Sequence, residues 1–390
     1  MMDFNPGLTR RSALLALPAA ASLAAFGGAR AQAPEGKLLK FGAICTVTGP
    51  NASIGREGLS GLEYGVKAVN AAGGVRIGAD TYTLALVNVD DESKAERAAA
   101  AAEQLIGSQH VPVIFTPPAS TATLAMLPTI EKNKVLAMSF VASAPDVTGP
   151  EFTYSFRTTL NSLQNVAPSI DFLVKEQAVK TIAYLGRNDD WGRNSGKALA
   201  ARAQELGVKI VVEEYFDAKT TDFFGLLTKV RGASPDAMMV ATFVEDGVPL
   251  LKQYRELRMK PILLSLAVIW SSPVFLNAVG KAVEGAYIAT GPRTSGTPAV
   301  EEFRQQFQKV TSRAPLPYEI TGYDTLNVVL AAMQQAGTTD PTAVAKALRQ
   351  LDFKGVLQDY AFGGRNQSSV VINVNKVTDG LVVPVTSLRT

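Results

Sequence analysis

The residue types that most often carry chemistry are scarce in this chain: its 390 residues include one cysteine, Cys45, and one histidine, His110. One of each cannot form a disulfide, a zinc site of the Cys/His kind, or more than a fragment of a catalytic triad. His110 directly precedes Val111-Pro112, the wrong end of an apolar run for a base that would activate a serine. Gly55, Gly58 and Gly61 are spaced as GxxGxxG, which is neither the dinucleotide fingerprint nor a P-loop, so a nucleotide-using enzyme is the weaker alternative. What remains are hydroxyls. Thr116-Pro117-Pro118-Ala119-Ser120-Thr121-Ala122-Thr123 follows one short apolar run, and Val141-Ala142-Ser143-Ala144-Pro145 follows the next. Hydroxyls and free backbone N–H groups at the start of a helix favour a carboxylate or another anion. Any one of these residues is equally well a plain helix cap. Two such loops at adjacent strand ends point to an anion site more strongly than either alone.

The elements that must position these loops follow from periodicity. Apolar runs at Leu38 to Val47, Tyr82 to Val89, Val111 to Phe115 and Val135 to Phe140 read as strands. Helical spacing lies between them, at Leu59 to Asn70, Lys94 to Ile106 and Thr123 to Asn133. After Arg157 a second series begins: helix Gln164 to Gln177, strand Thr181 to Leu185, helix Ser195 to Leu206, strand Lys209 to Tyr215, helix Phe223 to Arg231, strand Ala237 to Ala241 and helix Val248 to Leu257. Alternation of this kind predicts an α/β fold of two doubly wound, parallel-sheet lobes, with ligands held at the carboxyl ends of the strands in the cleft between them. The composition is compatible with this. Hydrophobic residues make up 47% and charged residues 19%, as in a soluble globular protein large enough for two cores. The formal charge is +3 with no basic run, which argues against a nucleic-acid groove.

The N-terminus reads as an export signal. Thr9-Arg10-Arg11-Ser12 precedes an apolar stretch from Ala13 to Phe26, and Ala31-Gln32-Ala33 supplies small residues at a cleavage site. The paired arginines resemble a twin-arginine signal, although Ala13 stands where Phe is usual. General export is the alternative. The apolar stretch is shorter than the roughly 20 residues needed to span a bilayer, so cleavage near Ala33 is expected rather than anchoring. No cysteine near that point is available to take a lipid, and a mature protein free in the periplasm is expected.

At these residues the chain resembles the periplasmic binding proteins of the branched-chain amino acid type, which deliver ligands to ABC importers. The pieces are Thr48-Gly49-Pro50 with Gly55 and Gly61, Val69-Asn70-Ala71-Ala72-Gly73-Gly74-Val75, and Asp90-Asp91-Glu92-Ser93. The Ser120 and Ser143 loops follow, then Phe156-Arg157-Thr158, Asp190-Trp191-Gly192, Val283-Glu284-Gly285 and Tyr323-Asp324. The resemblance implies two lobes joined by three crossings, near Arg157, Tyr287 to Pro292 and Lys354 to Tyr360. Residues 34–156 and 290–355 would form one lobe, and residues 157–289 and 356–390 the other. It implies a small-molecule ligand, ABC permease subunits as partners, a monomer, and no cofactor, metal or catalytic group. A sensor that presents its ligand to a membrane receptor is the competing role.

The ligand residues that the resemblance implies are Ala119, Ser120, Val141 and Ser143 for a carboxylate. Trp191, Phe243, Tyr318 and Trp270 would line the pocket, with Ile54 facing Trp191 across the cleft. One departure stands out. Amino-acid-binding members hold the ligand ammonium with an acidic residue after the fourth strand of the second lobe, where this chain reads Ser265-Leu266-Ala267-Val268-Ile269-Trp270. An unpaired ammonium in an enclosed site is costly. Glu245 and Asp246 lie one strand earlier, where an acidic residue is more simply a helix cap. The expected ligand is therefore a carboxylate with an apolar or aromatic body, at least as readily as leucine.

Overall fold

The computed structural model describes residues 36–292, 296–363 and 365–389. The export segment expected over residues 1–33 lies outside them. In chain order the first lobe is β1 (Lys37–Ala43), α1 (Ala52–Ala71), β2 (Val75–Ile77), β3 (Asp80–Asn88), α2 (Ala95–Gln109), β4 (Val113–Phe115), α3 (Ser120–Asn133), β5 (Leu136–Ser139) and β6 (Ser155–Arg157). The second lobe follows as α4 (Ser162–Gln177), β7 (Thr181–Arg187), α5 (Asp190–Leu206), β8 (Lys209–Phe216), α6 (Phe224–Ala233), β9 (Ala237–Ala241), α7 (Val244–Glu256), β10 (Ile262–Ser265), α8 (Pro273–Val279) and β11 (Tyr287–Thr290). The chain closes with α9 (Pro298–Thr311), α10 (Pro317–Ala336), α11 (Pro341–Arg349), β12 (Asp352–Lys354), β13 (Asp359–Ala361), β14 (Val371–Thr378) and β15 (Leu381–Arg389).

The sheets run β2-β3-β1-β4-β5-β6 and β15-β14-β11-β10-β9-β7-β8. All pairs in the first are parallel except β2 with β3. In the second, β14 pairs antiparallel with both β11 and β15, and the remaining pairs are parallel. Strands β4, β5 and β9 are buried at every position, as expected where helices cover both faces. Strand order reverses between β1 and β4 in one sheet and between β7 and β9 in the other. At such points the loops leaving neighbouring strands diverge to opposite faces and open a crevice. The two-lobed α/β reading of the sequence is borne out.

Several helices begin earlier than periodicity predicts. Helix α1 starts at Ala52 rather than Leu59, α5 at Asp190 rather than Ser195, and α7 at Val244 rather than Val248. Their first turns carry Ser53, Gly55, Trp191, Gly192, Glu245 and Gly247, which break an apolar stripe without breaking the helix. Gly55 and Gly61 have a packing role, not a phosphate-cradling one. A Cβ on Gly55 would lie 1.9 Å from the Thr46 carbonyl oxygen, and one on Gly61 would lie 2.0 Å from that of Glu319. Small residues are required there for α1 to sit against the β1 loop and α10. The acidic stretch after β3 is also structural: Thr46 donates to Asp91 Oδ1 at 2.5 Å, and Val47 N donates to Asp90 Oδ1 at 2.9 Å.

The last crossing lies later than the sequence reading puts it. Tyr360 and Phe362, expected in the second lobe, are buried in the core of the first. Asp324 explains this: its carboxylate accepts from Val356 N, Leu357 N and the Tyr360 hydroxyl at 2.8–2.9 Å, tying the turn before β13 to α10. The chain joins the second sheet only at Val371, where β14 begins. Among the described residues no helix is long and apolar enough to cross a membrane.

Candidate functional site

The loops that leave the strand ends meet around a partly enclosed cavity of about 80 Å3. At about 30 Å3 per water, that is room for roughly three waters. The first lobe contributes Ala119 and Ser120 after β4 and Val141 and Ser143 after β5. From the second come Asp189 and Trp191 after β7, Phe243 after β9, and Leu266, Ala267 and Val268 after β10. Thr159 and Leu160 of the first crossing, and Tyr318 at the start of α10, complete the part that matters for chemistry. A larger open groove, about 1110 Å3, lies over α4 and the 145–153 loop. It is away from the strand ends, so the small cavity at the two reversal points is the candidate site.

At the first-lobe wall the polar groups are arranged for an anion. Helix α3 starts after Ala119, which has no side-chain cap, so its first N–H groups open toward the cavity uncapped. Ser120 does not cap its own helix. Its Oγ accepts from Ala144 N at 3.1 Å, joining the two hydroxyl loops and leaving its own proton free to donate. The Ser143 carbonyl accepts from Ser162 N at 2.7 Å. Its hydroxyl and its N–H have no partner among the described residues, and the residue is 9% exposed.

The second-lobe wall is aromatic and backed by charge. Trp191 and Phe243 lie with ring centroids 5.0 Å apart, and the Arg187 guanidinium sits 4.6 Å from the Phe243 centroid. Arg187 lies 3.6 Å from Asp189 and 3.8 Å from Asp246. Burial pushes Asp246 up to about 6 against the pull of Arg187, and raises Asp189 as well. Asp189 Oδ1 caps α5 by accepting from Gly192 N at 2.9 Å. Asp246 Oδ2 accepts from Phe243 N at 3.0 Å, the cap role that its place in the sequence suggests. Beneath the cavity, Tyr318 N donates to Glu57 Oε2 at 3.4 Å, and burial pushes Glu57 up to about 8.

The lobes are closed on one another. Arg187 Nη1 donates to Asn51 Oδ1 at 3.1 Å and Ser53 Oγ to Glu245 Oε1 at 3.1 Å, both across the cleft. Ile54, expected opposite Trp191, is fully buried in the same apolar cluster as Trp191, Phe243 and Tyr318, but is not part of the cavity wall. Trp270 is not at the cavity either. It stacks on Phe275 at 4.6 Å and donates its indole N–H to Thr242 at 2.9 Å, because the chain turns down into the core after Val268. Sequence reasoning missed Asp189, Thr159 and Leu160. The signal for Asp189 was at hand: a capping residue that directly follows a parallel strand must sit at the cleft. Among the described residues no group of three His, Cys, Asp or Glu side chains is placed to hold a metal ion.

Two doubly wound lobes closed over a cavity at their strand ends define a type I periplasmic binding protein. A family model described as periplasmic binding protein matches residues 39–373, and the chain belongs to that family. It is 25% identical over 307 residues to an amino acid binding protein of Pseudomonas aeruginosa, covering 77% of this chain and 80% of that one. The leucine binding protein LivK of Thermotoga maritima superposes with a TM-score of 0.81 at 22% identity, over 90% of this chain and 99% of that one. A solute binding protein of R. palustris in complex with 4-hydroxybenzoate superposes with a TM-score of 0.82 at 18% identity, over 90% and 97%.

Proposed function

We propose that this protein is the periplasmic solute-binding component of an ABC importer, and that its ligand is a small carboxylate with an apolar or aromatic body. The observation that carries this reading is the makeup of the cavity wall. Ser120, Ser143 and the uncapped start of α3 offer donors on one side, while Leu266, Ala267 and Val268 are apolar where an ammonium would need an acid. Burying an ammonium without a partner costs several kcal/mol. An aromatic tail against Trp191 or Phe243 instead gains about 0.5–1.5 kcal/mol beyond its buried area. Export with loss of residues 1–33, a monomeric state and the absence of catalysis belong to the same proposal.

A hydrophobic α-amino acid is the second reading, and Asp189 favours it as the one carboxylate that lines the cavity among the described residues. Its Oδ1 already serves Gly192 N and its other oxygen faces Arg187, which weighs against an ammonium there. Calorimetry with phenylalanine and its deaminated analogue phenylpropionate separates the two. The proposal expects phenylpropionate to bind more tightly, and a tenfold preference for phenylalanine that is lost in Asp189→Asn establishes the second reading. The Asn51–Arg187 and Ser53–Glu245 bonds exist only when the lobes are shut, so ligand should favour closure. Small-angle scattering of the mature protein should show compaction on adding saturating ligand. Unchanged scattering together with turnover of the ligand overturns the binding role.

A further inference from the structure

Arg157 ends β6 and is completely buried. Its guanidinium is bonded on every side: Nη1 to the carbonyls of Ala142 and Ala144 at 3.0 and 2.7 Å, Nη2 to Thr148 Oγ1 at 3.0 Å, and Nε to Gln367 Oε1 at 2.6 Å. Each acceptor is neutral. Arg187, which is also buried, has Asp189 and Asp246 beside it, whereas Arg157 makes no ion pair among the described residues. Burial lowers its pKa to about 9, and Asp146 offsets this only in part. A buried charge without a counter-ion is normally selected against unless something supplies the missing charge.

The two carbonyls that Arg157 holds flank Ser143. In a trans peptide the N–H points opposite to the carbonyl, so drawing the Ala142 oxygen toward Arg157 turns the Ser143 N–H away from it. That N–H has no acceptor among the described residues, and Ser143 lines the cavity. We propose that Arg157 is the positioning residue of the anion site: it sets the 142–144 loop so that its donors face the ligand, and it leaves one buried positive charge for a ligand carboxylate to balance. This rests on the carboxylate reading given above. The same residue also fastens two of the crossings between the lobes. Its N–H donates to the Asn366 carbonyl at 2.9 Å, its carbonyl accepts from Ser368 N at 3.0 Å, and Gln367 Nε2 donates to the Thr159 carbonyl at 2.7 Å. The anion site and the hinge therefore share one residue, the first through its side chain and the second through its backbone.

Thr148→Asp tests this with little change of shape, because it brings a carboxylate to the position that already accepts from Arg157 Nη2, and the Thr148 side chain makes no other hydrogen bond among the described residues. The probes are benzoate and phenylpropionate, each compared with its amide by calorimetry. In the wild type the acids should bind more tightly than the amides. In T148D acid affinity should fall about tenfold, the scale of one added charge interaction across a partly screened interior, while amide affinity stays put. The unliganded variant should melt at or above the wild-type temperature. Gln367→Glu, which brings a carboxylate to Nε but gives up the donations from Gln367 Nε2 to the Thr159 and Ser368 carbonyls, should shift the acid-to-amide ratio in the same direction with a lower melting point, and serves if T148D does not fold. Equal losses for acid and amide overturn the proposal, since a merely structural Arg157 would affect both. An unchanged acid preference in both variants overturns it too. If the wild type itself binds neither acid, or binds the amides as tightly, the carboxylate reading fails and takes this proposal with it.

Discussion

Ser143 and Ser120 are similar in sequence context but bonded differently, and replacing each by alanine should separate binding from stability. The Ser143 hydroxyl has no partner among the described residues. Removing it costs the folded protein nothing in hydrogen bonding, and its backbone keeps the Ser162 contact at 2.7 Å. If it donates to the ligand carboxylate, the lost charge-assisted bond is worth about 1.5–3 kcal/mol, or roughly ten- to a hundredfold in affinity. In Ser120→Ala the buried Ala144 N loses its acceptor, which lies at 3.1 Å in the native protein. That costs about 1–3 kcal/mol of stability in addition to a similar loss of affinity. The assay is calorimetry with phenylpropionate alongside melting of the unliganded proteins. Ser143→Ala should weaken binding with an unchanged melting point, and Ser120→Ala should lower both. If Ser143→Ala lowers the melting point and leaves affinity intact, Ser143 does not anchor the ligand, and the reasoning from its free hydroxyl is refuted.

Two further outcomes are expected. Ala267→Glu places an acid on the apolar stretch of the wall and should move preference from phenylpropionate toward phenylalanine by about tenfold or more, read as the ratio of dissociation constants. Stability should also rise as the pH falls from 8 to about 5.5, because Glu57 is pushed up to about 8 and Asp246 and Asp324 to about 6, all by burial. A carboxyl whose folded pKa exceeds its unfolded one binds protons preferentially in the native state, so it stabilises on acidification through the folded pKa and ceases to add below the unfolded one. Glu57→Gln should raise the melting point at pH 8 and flatten the upper part of this profile; a wild-type melting point that falls from pH 8 to 5.5 contradicts the assignment.

The order of strands and helices was legible because burial on both faces of a parallel sheet imposes continuous apolar runs, as in Val113–Phe115 and Ala237–Ala241, and helices covering those faces impose a regular stripe. The same logic made the helix starts illegible. Ser53 and Glu245 occupy first turns that bond to each other across the cleft, and Trp191 sits in a first turn at the cavity wall, so the local pattern follows surfaces far away in sequence. Asp189 looked like a capping residue and is one, yet its position after β7 also makes it part of the cavity wall.

The sequence by itself determined the two-lobed architecture, the hydroxyl loops at the strand ends and the lack of an acid at Leu266 to Val268, because each depends on local pattern or plain residue identity. Tertiary structure alone decided which of the candidates converge. Trp270 and Ile54 went into the core while Thr159 and Leu160 came to the wall, since a turn of a few residues after a strand redirects a side chain by more than any periodicity can register. Tertiary structure also decided how charge is compensated. Arg187 found Asp189 and Asp246 across loops from different strands, whereas Arg157 found only carbonyls, a hydroxyl and an amide. Ion pairing requires proximity in space, and the chain order of these residues carries no record of it.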